Sequence, residues 1–439
     1  MSSGWSASTL SILCRQSQIG FPNMPLIRPR QVPLVAALGA TQIIGYGSIY
    51  YAFPILAPAV AQEFQVSEPF LFGLLSAGLL LGGFAAPTLG RLLDRIGAGR
   101  VMTMGSFAMA VLLILLAWAP NIHAFGALTI LIEILSFAVL YDAAFAMLAQ
   151  KRPGETRKAI TRLTLIAGFA STIFWPLSGM LVMEIGWRET QLVFAASHLL
   201  CAALHFKMTT TPVMDTLALP TDNAAPGPAW VPAVMTEAVA LRAFLLLALG
   251  FALTGMAISA VTVHLVEILR SLHLGEAAYL AAMVLGPAQV AVRLMDATVW
   301  RDRHPLFIAI LSAAAIVTAI ILLLLPGPAS LIAFAFAAIM GAGAGLSSIV
   351  RGAVPVALFG ASGLGQRLGR LAAIRSIMGA SSPFLFAWAA AAYSMSWAVG
   401  AALALAVAGL AAMVVLQQNL QRNGIVPPLR SKPRVRITA

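Results

Sequence analysis

The sequence predicts an all-α polytopic membrane protein with twelve transmembrane helices, arranged as two six-helix halves related by a pseudo-two-fold axis. The first observation behind this fold class is composition: 60% of the residues are hydrophobic and 10% are charged, whereas about 25% are charged in a soluble protein. A soluble chain with so few charges would leave much of its apolar surface in water. The second observation is a series of uncharged runs, each long enough to cross a bilayer core of ~30 Å at about 1.5 Å per residue.

The apolar runs fall into two groups of six. The amino-terminal half is predicted over 34–206, with spans at 34–61, 69–89, 101–119, 124–149, 159–183 and 188–206. The carboxy-terminal half is predicted over 240–417, with spans at 240–266, 276–299, 306–325, 329–355, 368–390 and 393–417. A linker at 207–239, too polar to insert, joins the halves. A leader at 1–33, in which Met24 is an alternative start, and a basic tail at 418–439 flank them.

The distribution of basic residues orients the spans. On this topology all 27 Lys and Arg except Arg188 and Arg270 fall on one side, and the positive-inside rule makes that side the cytoplasm. Both termini are therefore predicted to be cytoplasmic, in a membrane of the bacterial inner-membrane type. The same asymmetry accounts for the net charge of +12, so we expect no nucleic-acid partner.

A short charged loop between the second and third spans carries the most specific motif. It reads Gly90-Arg91-Leu92-Leu93-Asp94-Arg95-Ile96-Gly97-Ala98-Gly99-Arg100. A loop this short makes the flanking helices antiparallel neighbours and holds its charges where membrane meets water. The spacing G-x-L-x-D-R-x-G-x-x-R resembles the signature between helices 2 and 3 of the major facilitator superfamily of secondary transporters, at Gly90, Leu92, Asp94, Arg95, Gly97 and Arg100. The resemblance implies a role in the conformational change.

The twelve-span plan with cytoplasmic termini also matches that superfamily, whose halves are repeats that rock around a central site. The repeat is visible at an offset of about 210 residues, where Tyr141-Asp142 corresponds to Val350-Arg351. Asp142 and Arg351 are therefore predicted to form a gating ion pair between the halves in one state only. The alternative is that Asp142 pairs within its own half, with Arg95 or Arg162, while Arg351 faces water.

Three further segments resemble the monocarboxylate-transporter and oxalate/formate-antiporter branch of the superfamily. They are Gly45 to Phe53 in helix 1, Trp175 to Gly179 in helix 5, and Gly186-Trp187-Arg188 at the start of helix 6. The sequence departs from that branch in two places. Helix 5 has Trp-Pro where many antiporters have Gly-Pro, and Ala40-Thr41 stand near the position of an acidic residue in the animal carriers.

Arg293 and Arg375 are the predicted substrate-binding cations. In the branch just named a helix-8 arginine binds the substrate carboxylate, and the oxalate/formate antiporter has a second cation on helix 11. Arg293 has another interpretation, because Arg293 to Asp296 resembles a second copy of Arg91 to Asp94, in which Arg293 would pair with Asp296. The second copy of the charged motif can instead be placed at Arg301-Asp302, which the apolar residues 297–300 favour. In that alignment Arg293 lies about two turns inside the membrane. Arg375 has the alternative of extending to the lipid headgroups.

Gln42 and Tyr46 lie on one stripe of helix 1 and are predicted to line the substrate cavity. Glu133 is the acid nearest the middle of a span, where a buried carboxylate can take up and release a proton. It is the predicted coupling residue, and the alternative is a structural hydrogen bond. His264 and Glu267 in helix 7 are expected to form an interfacial pair.

The predicted function is secondary active transport of a small organic anion such as a monocarboxylate, coupled to protons or to exchange. Two alternatives remain open: efflux of drugs or toxic metalloid compounds, and a membrane sensor that transports nothing. The sequence has no Walker-type phosphate loop and no metal-ligand or Ser/His/Asp cluster, so we expect neither an enzyme nor a cofactor. The expected partners are the small-molecule substrate and the lipid bilayer, and the expected state is a monomer.

Overall fold

A computed structural model describes residues 31–210, 235–271, 280–281, 283–326 and 328–426, with the side chains of 31–33, 266, 267 and 270 left out. Most of the predicted leader, linker and tail therefore lies outside the described residues, with Met24 and the first residues of the predicted eighth span. The predicted pair between His264 and the side chain of Glu267 lies outside them as well. All regular elements in the described ranges are helices, as the sequence predicts.

The first six helices form what we call the N-half. Helix α1 has three consecutive parts, Gln31–Gly45, the π-helical turn Tyr46–Tyr51, and Phe53–Phe64. Next come α2 (Glu68–Ile96), α3 (Ala98–Ala117) and α4 (Ile122–Ser136 with Tyr141–Lys151). Helix α5 comprises Thr156–Ala167 and 170–185, and α6 comprises 187–210; Gly186, with φ 85°, separates the two.

The last six helices form the C-half. They are α7 (Glu237–Val263, continued by Leu265–Ser271), α8 (Leu285–Thr298), α9 (Pro305–Leu322), α10 (Ala329–Phe359), α11 (Leu364–Ala392) and α12 (Met395–Arg422). Each predicted span thus overlaps a helix. By length and hydropathy, nine helical stretches in the described residues are able to cross a membrane, one of which, Thr156–Thr210, contains both α5 and α6. Helices α8 and α11 are not among the nine; α11 carries three arginines, Arg367, Arg370 and Arg375.

The charged motif between α2 and α3 differs from the predicted loop. Gly90 to Ile96 form the last two turns of α2, and only Gly97, with φ 90°, lies between the two helices. At 29 residues, α2 is about 44 Å long and exceeds the ~30 Å hydrocarbon core. Its charged end therefore reaches beyond the membrane. Because the backbone around Asp94 is still helical there, the direction of the Asp94 side chain is fixed by the helix.

Helices α1, α4 and α5 are interrupted near the middle of the N-half. The π-helical turn of α1 starts at Tyr46, α4 breaks between Ser136 and Tyr141, and α5 breaks after Ala167. A break frees backbone carbonyls that need another donor. Gln42 supplies one, because its Nε2 donates to the carbonyl of Val139 at 2.8 Å. Gln42, predicted to face the substrate, is fully buried in this contact.

Candidate substrate site and gate

Asp94 joins the two halves through the start of α11. Its Oδ1 accepts a hydrogen bond from the backbone N–H of Gly365, and its Oδ2 accepts one from that of Gln366, both at 2.8 Å. These N–H groups belong to the first turn of α11, where no intrahelical acceptor exists and the helix dipole favours a negative charge. A carboxylate of the N-half therefore caps a helix of the C-half.

The backbones of α2 and α11 touch just inside this cap. A Cβ atom added at Gly90 would collide with the carbonyl oxygen of Gly365, and one added at Gly369 would collide with that of Ala86. Glycine at these positions is what allows Asp94 to reach α11. The other predicted gate residues of the motif, Arg95 and Arg100, are exposed. Neither makes a hydrogen bond or ion pair within the described ranges.

A second contact between the halves joins α5 to α8. The buried carboxylate of Asp296 accepts a hydrogen bond from the Thr161 hydroxyl at 2.9 Å and lies 3.6 Å from Arg157. The Arg157 guanidinium also donates to three backbone carbonyls of the α8–α9 turn, those of Trp300, Arg301 and Arg303. Like the Asp94 cap, this contact lies at the end predicted to be cytoplasmic, and it closes the bundle there.

Arg293 is buried between α8 and the break in α5. Its Nη1 donates to the carbonyl of Thr164 at 3.3 Å, its Nη2 to Gln289 Oε1 at 3.4 Å, and a side chain at Gly168 would collide with it. The alternative pairing with Asp296 is not formed, because Arg157 and Thr161 hold that carboxylate. Arg293 lies deeper than the α8–α9 turn, beside the broken helix.

Asp142 and Arg375 form an ion pair of 3.5 Å between α4 and α11, with side chains that are 16% and 20% exposed. The predicted pair between Asp142 and Arg351 is not formed, and neither is the alternative with Arg95 or Arg162. The internal repeat relates Asp142 and Arg351 by sequence position, whereas the structure places the Arg375 guanidinium of α11 beside the carboxylate.

Arg351 is consequently a half-buried cation on α10 that makes no hydrogen bond or ion pair within the described residues. Its charge lies within electrostatic range of four of the six tyrosines of the chain and of Arg375. The four are Tyr46, Tyr50, Tyr51 and Tyr141. The rings of Tyr46 and Tyr141 are 4.6 Å apart, and Tyr141 stacks on Phe145 at 5.2 Å. A guanidinium without an ion-pair partner in the described residues thus lies within electrostatic range of four phenols, which we call the tyrosine wall.

Glu133 lies elsewhere, inside the N-half. It is buried, its carboxylate makes no hydrogen bond within the described residues, and it borders a cavity of about 30 Å³ together with Ser48, Thr129 and Gln191. Such a cavity holds about one water molecule. Ser48, one of the residues that line this cavity, contacts His198, whose Nε2 lies 2.9 Å from Ser48 Oγ. Arg293, Arg351 and Arg375 do not line this cavity.

A polar seam between α1 and α6 was not predicted. His198 and His205 on α6 contact Ser48 and Thr41 on α1, at 2.9 and 3.0 Å, and His205 also contacts Ser106 of α3 at 3.0 Å. The two histidines are seven residues apart, as are the two hydroxyls. Matched seven-residue spacing on antiparallel helices is the sequence signal that could have revealed this contact.

Comparisons with known proteins agree on one fold. A family model, Major Facilitator Superfamily, matches residues 38–348. Among solved structures, the human organic anion transporter MFSD10 (TETRAN) is similar with a TM-score of 0.62 and 19% identity, covering 88% of this chain and 100% of that one. The proton:xylose symporter XylE, bound to 6-bromo-6-deoxy-D-glucose, is similar with a TM-score of 0.62 and 15% identity, covering 89% and 95%. No curated protein matches the chain.

Proposed function

The chain belongs to the major facilitator superfamily, and from that premise we propose that it carries a small organic anion by alternating access, with a monocarboxylate as the favoured cargo. Membership makes the protein a multi-pass transporter of a solute and not an enzyme, so the sensor alternative is set aside. The single observation that carries the cargo proposal is Arg351, which has no ion-pair partner in the described residues and lies within electrostatic range of four tyrosines. The monocarboxylate and oxalate/formate branch remains our preferred place within the superfamily.

A cation at this position calls for a counter-ion. Placing an arginine within a span costs at least ~2.5–3.5 kcal/mol on insertion scales, and no carboxylate among the described residues forms an ion pair with Arg351. A cargo carboxylate would accept two parallel hydrogen bonds from the planar guanidinium. The surrounding phenol hydroxyls, including that of Tyr46, add donors that a neutral or cationic cargo would use less well.

Arg375 completes the proposed site in a different way. Asp142 occupies its guanidinium in the closed structure, so an arriving anion competes with Asp142 for it. Breaking the pair removes a contact between α4 and α11, and binding is thereby linked to separation of the halves. A ligand shifts such an equilibrium only by its differential affinity for the two states. Arg293, held by Thr164 and Gln289, is proposed to support closure at the edge of this site.

We assign coupling to a proton on Glu133, because a buried carboxylate without a hydrogen-bond partner is most readily retained in its neutral form. Glu133→Gln mimics that form permanently. In this variant, proton uptake measured with an internal pH dye is expected to vanish, while cargo exchange across a membrane without a proton gradient continues.

We further propose a monomer in an inner membrane with both termini in the cytoplasm, without cofactor or nucleic-acid partner.

Counterflow in proteoliposomes tests the cargo. The panel comprises short monocarboxylates, a dicarboxylate, a neutral sugar and a lipophilic cation. Uptake of the anions is expected in the parent protein, with a loss of about tenfold or more in affinity in Arg351→Lys, since an ammonium lacks the two-donor fork, and no uptake in Arg351→Gln. Arg370→Gln, at an exposed arginine of α11 without a partner in the described residues, is the matched control. Transport of the cation alone would overturn the proposal.

The tyrosine wall supports a second candidate, efflux of a drug or a toxic metalloid compound. Aromatic faces bind organic cations and apolar molecules, and the same panel separates the two candidates. The likeness to an organic anion transporter agrees with the first candidate. It does not select it, since the proton:xylose symporter shares the fold equally well.

A further inference from the structure

The outer face of the C-half carries a groove between α7 and α12, with a volume of about 660 Å³. It lies at the end where α7 begins and α12 ends, which is the end predicted to be cytoplasmic. Its floor is apolar: Leu241, Leu245, Leu249 and Val415 line it and are each about half exposed. The groove runs along α7 from Ala238 to Leu249, a length of about 16 Å.

Two arginines stand at one end of this groove. Arg242 of α7 and Arg422 of α12 line it and are exposed, and neither makes a hydrogen bond or ion pair within the described residues. Glu237, in the first turn of α7, does not line the groove. The Oδ1 atom of Asn419, also in the groove wall, is buried and has no hydrogen-bond partner. The groove therefore combines a cationic rim, an unused acceptor and an apolar channel.

This combination matches a phospholipid in charge and in length. Basic pockets between transmembrane helices on the cytoplasmic side suit anionic headgroups, and about 16 Å is close to the thickness of one leaflet's hydrocarbon layer, about 15 Å. A second copy of the chain fits less well. A two-fold axis along the membrane normal would bring two Arg242–Arg422 rims together at the same depth, and four guanidiniums would repel one another.

We propose that the α7–α12 groove binds one anionic phospholipid with a hydroxyl-bearing headgroup. Its phosphate lies between Arg242 and Arg422, a headgroup hydroxyl donates to Asn419, and one acyl chain follows Leu241, Leu245 and Leu249. Phosphatidylglycerol is the probe with this chemistry. The site is on the lipid-facing side of the C-half and does not depend on which solute is carried.

Binding is measured by native mass spectrometry of the full chain, titrated with phosphatidylglycerol or phosphatidylcholine. The double variant Arg242→Gln/Arg422→Gln is expected to bind phosphatidylglycerol roughly 30-fold more weakly, since each arginine near a headgroup contributes about a fivefold factor. Lys158→Gln/Arg370→Gln removes two exposed charges at the same end of the molecule, neither of which is paired within the described ranges, and is the charge-matched control. Its affinity is expected to stay within about twofold of the parent.

A second variant tests the groove rather than the charge. Leu245→Trp fills the channel on a lipid-facing surface and keeps both arginines, so loss of phosphatidylglycerol binding is expected while transport continues. Equal binding of the two lipids, or equal losses in the two double variants, would overturn the proposal. A dimer that Leu245→Trp dissociates in the absence of lipid would assign the groove to a second copy. Tighter lipid binding after truncation at residue 426 would assign it to the tail of the chain itself.

Discussion

Asp142 of α4 and Arg375 of α11 form an ion pair across the two halves, and Arg351 remains unpaired beside it. The carboxylate therefore neutralises one of two neighbouring cations and leaves the other for a ligand. The pair is about one-fifth exposed, so its contribution to closure is modest, on the order of 1 kcal/mol. That is enough to shift two conformational populations several-fold.

Charge exchange tests this pair. Asp142→Arg and Arg375→Asp are each expected to impair transport, because each single change places two like charges in contact. The double exchange is expected to recover a good part of the activity, measured as initial uptake into proteoliposomes. The matched comparison exchanges Asp142 with Arg351, for which no recovery is expected. Recovery there instead would show that Asp142 and Arg351 pair in the state that limits transport.

Asp94→Asn is expected to reduce transport by about tenfold or more while membrane insertion stays near the parent level. An amide keeps one acceptor oxygen, but it loses the charge that favours the start of α11 and cannot accept from both N–H groups. Uptake normalised to the amount of protein in the membrane measures the effect. Arg95→Gln is the control, since Arg95 makes no hydrogen bond or ion pair in the part of the chain that the structure describes. Activity near the parent level in Asp94→Asn would contradict a gating function for the cap.

Gly90→Ala is expected to prevent closure of α2 on α11, because the added methyl group collides with the carbonyl of Gly365. Cysteine-accessibility labelling from the cytoplasmic side, with a reporter cysteine on α11, is expected to increase several-fold. Gly73→Ala is a matched control, because a Cβ at this position of the same helix has no atom within 4 Å. Equal labelling of the two variants would mean that the backbones are not in contact during the transport cycle.

Arg293→Lys distinguishes a binding residue from a closure residue. The guanidinium reaches Thr164 and Gln289 through separate nitrogens, which an ammonium cannot do in the same geometry. We expect cargo affinity within about threefold of the parent and a larger fall in maximal rate. An affinity loss as large as in Arg351→Lys would instead return Arg293 to the substrate site.

His304 gives the α8–α9 turn a pH dependence. Its Nδ1 accepts from the backbone N–H of Leu306 at the start of α9, and burial, together with the nearby Arg157, lowers the pKa of His304 to about 3. The pKa of His304 is lower in the folded protein than the usual value near 6.5. The neutral ring therefore contributes its full stabilisation of the fold above about pH 6.5. This stabilisation is lost as pH falls from about 6.5 toward 3. Asn caps a helix without titrating, so in His304→Asn the melting temperature is expected to fall less between about pH 6.5 and pH 3 than in the parent. His123→Asn, at an exposed histidine, is the control, and its melting temperature is expected to fall as in the parent.

Much of the fold could be predicted from the apolar runs, because the bilayer fixes the length of each span, while the orientation inferred from charge asymmetry stays a prediction. The side-chain pairing at the interface could not. The repeat related Asp142 to Arg351 by position, but the partner of a carboxylate depends on the rotation of α11, which leaves no periodic signal. Gln42 was assigned to the cavity from its stripe on α1, whereas the break in α4 draws it to Val139. The contacts of Arg157 with the α8–α9 turn were missed because their acceptors are main-chain carbonyls.

Those carbonyl contacts have a consequence for how the transporter can vary. Any amino acid supplies a main-chain carbonyl. The bonds from Arg157 to the α8–α9 turn therefore depend on where the backbone of the turn runs, and not on the side chains of the turn. Substitution of Trp300, Arg301 or Arg303 therefore leaves the three carbonyl acceptors in place, as long as the turn keeps its length and path. The contact between α5 and α8 therefore depends on the side chains of Arg157, Thr161 and Asp296. Its remaining acceptors depend only on the length and path of the turn.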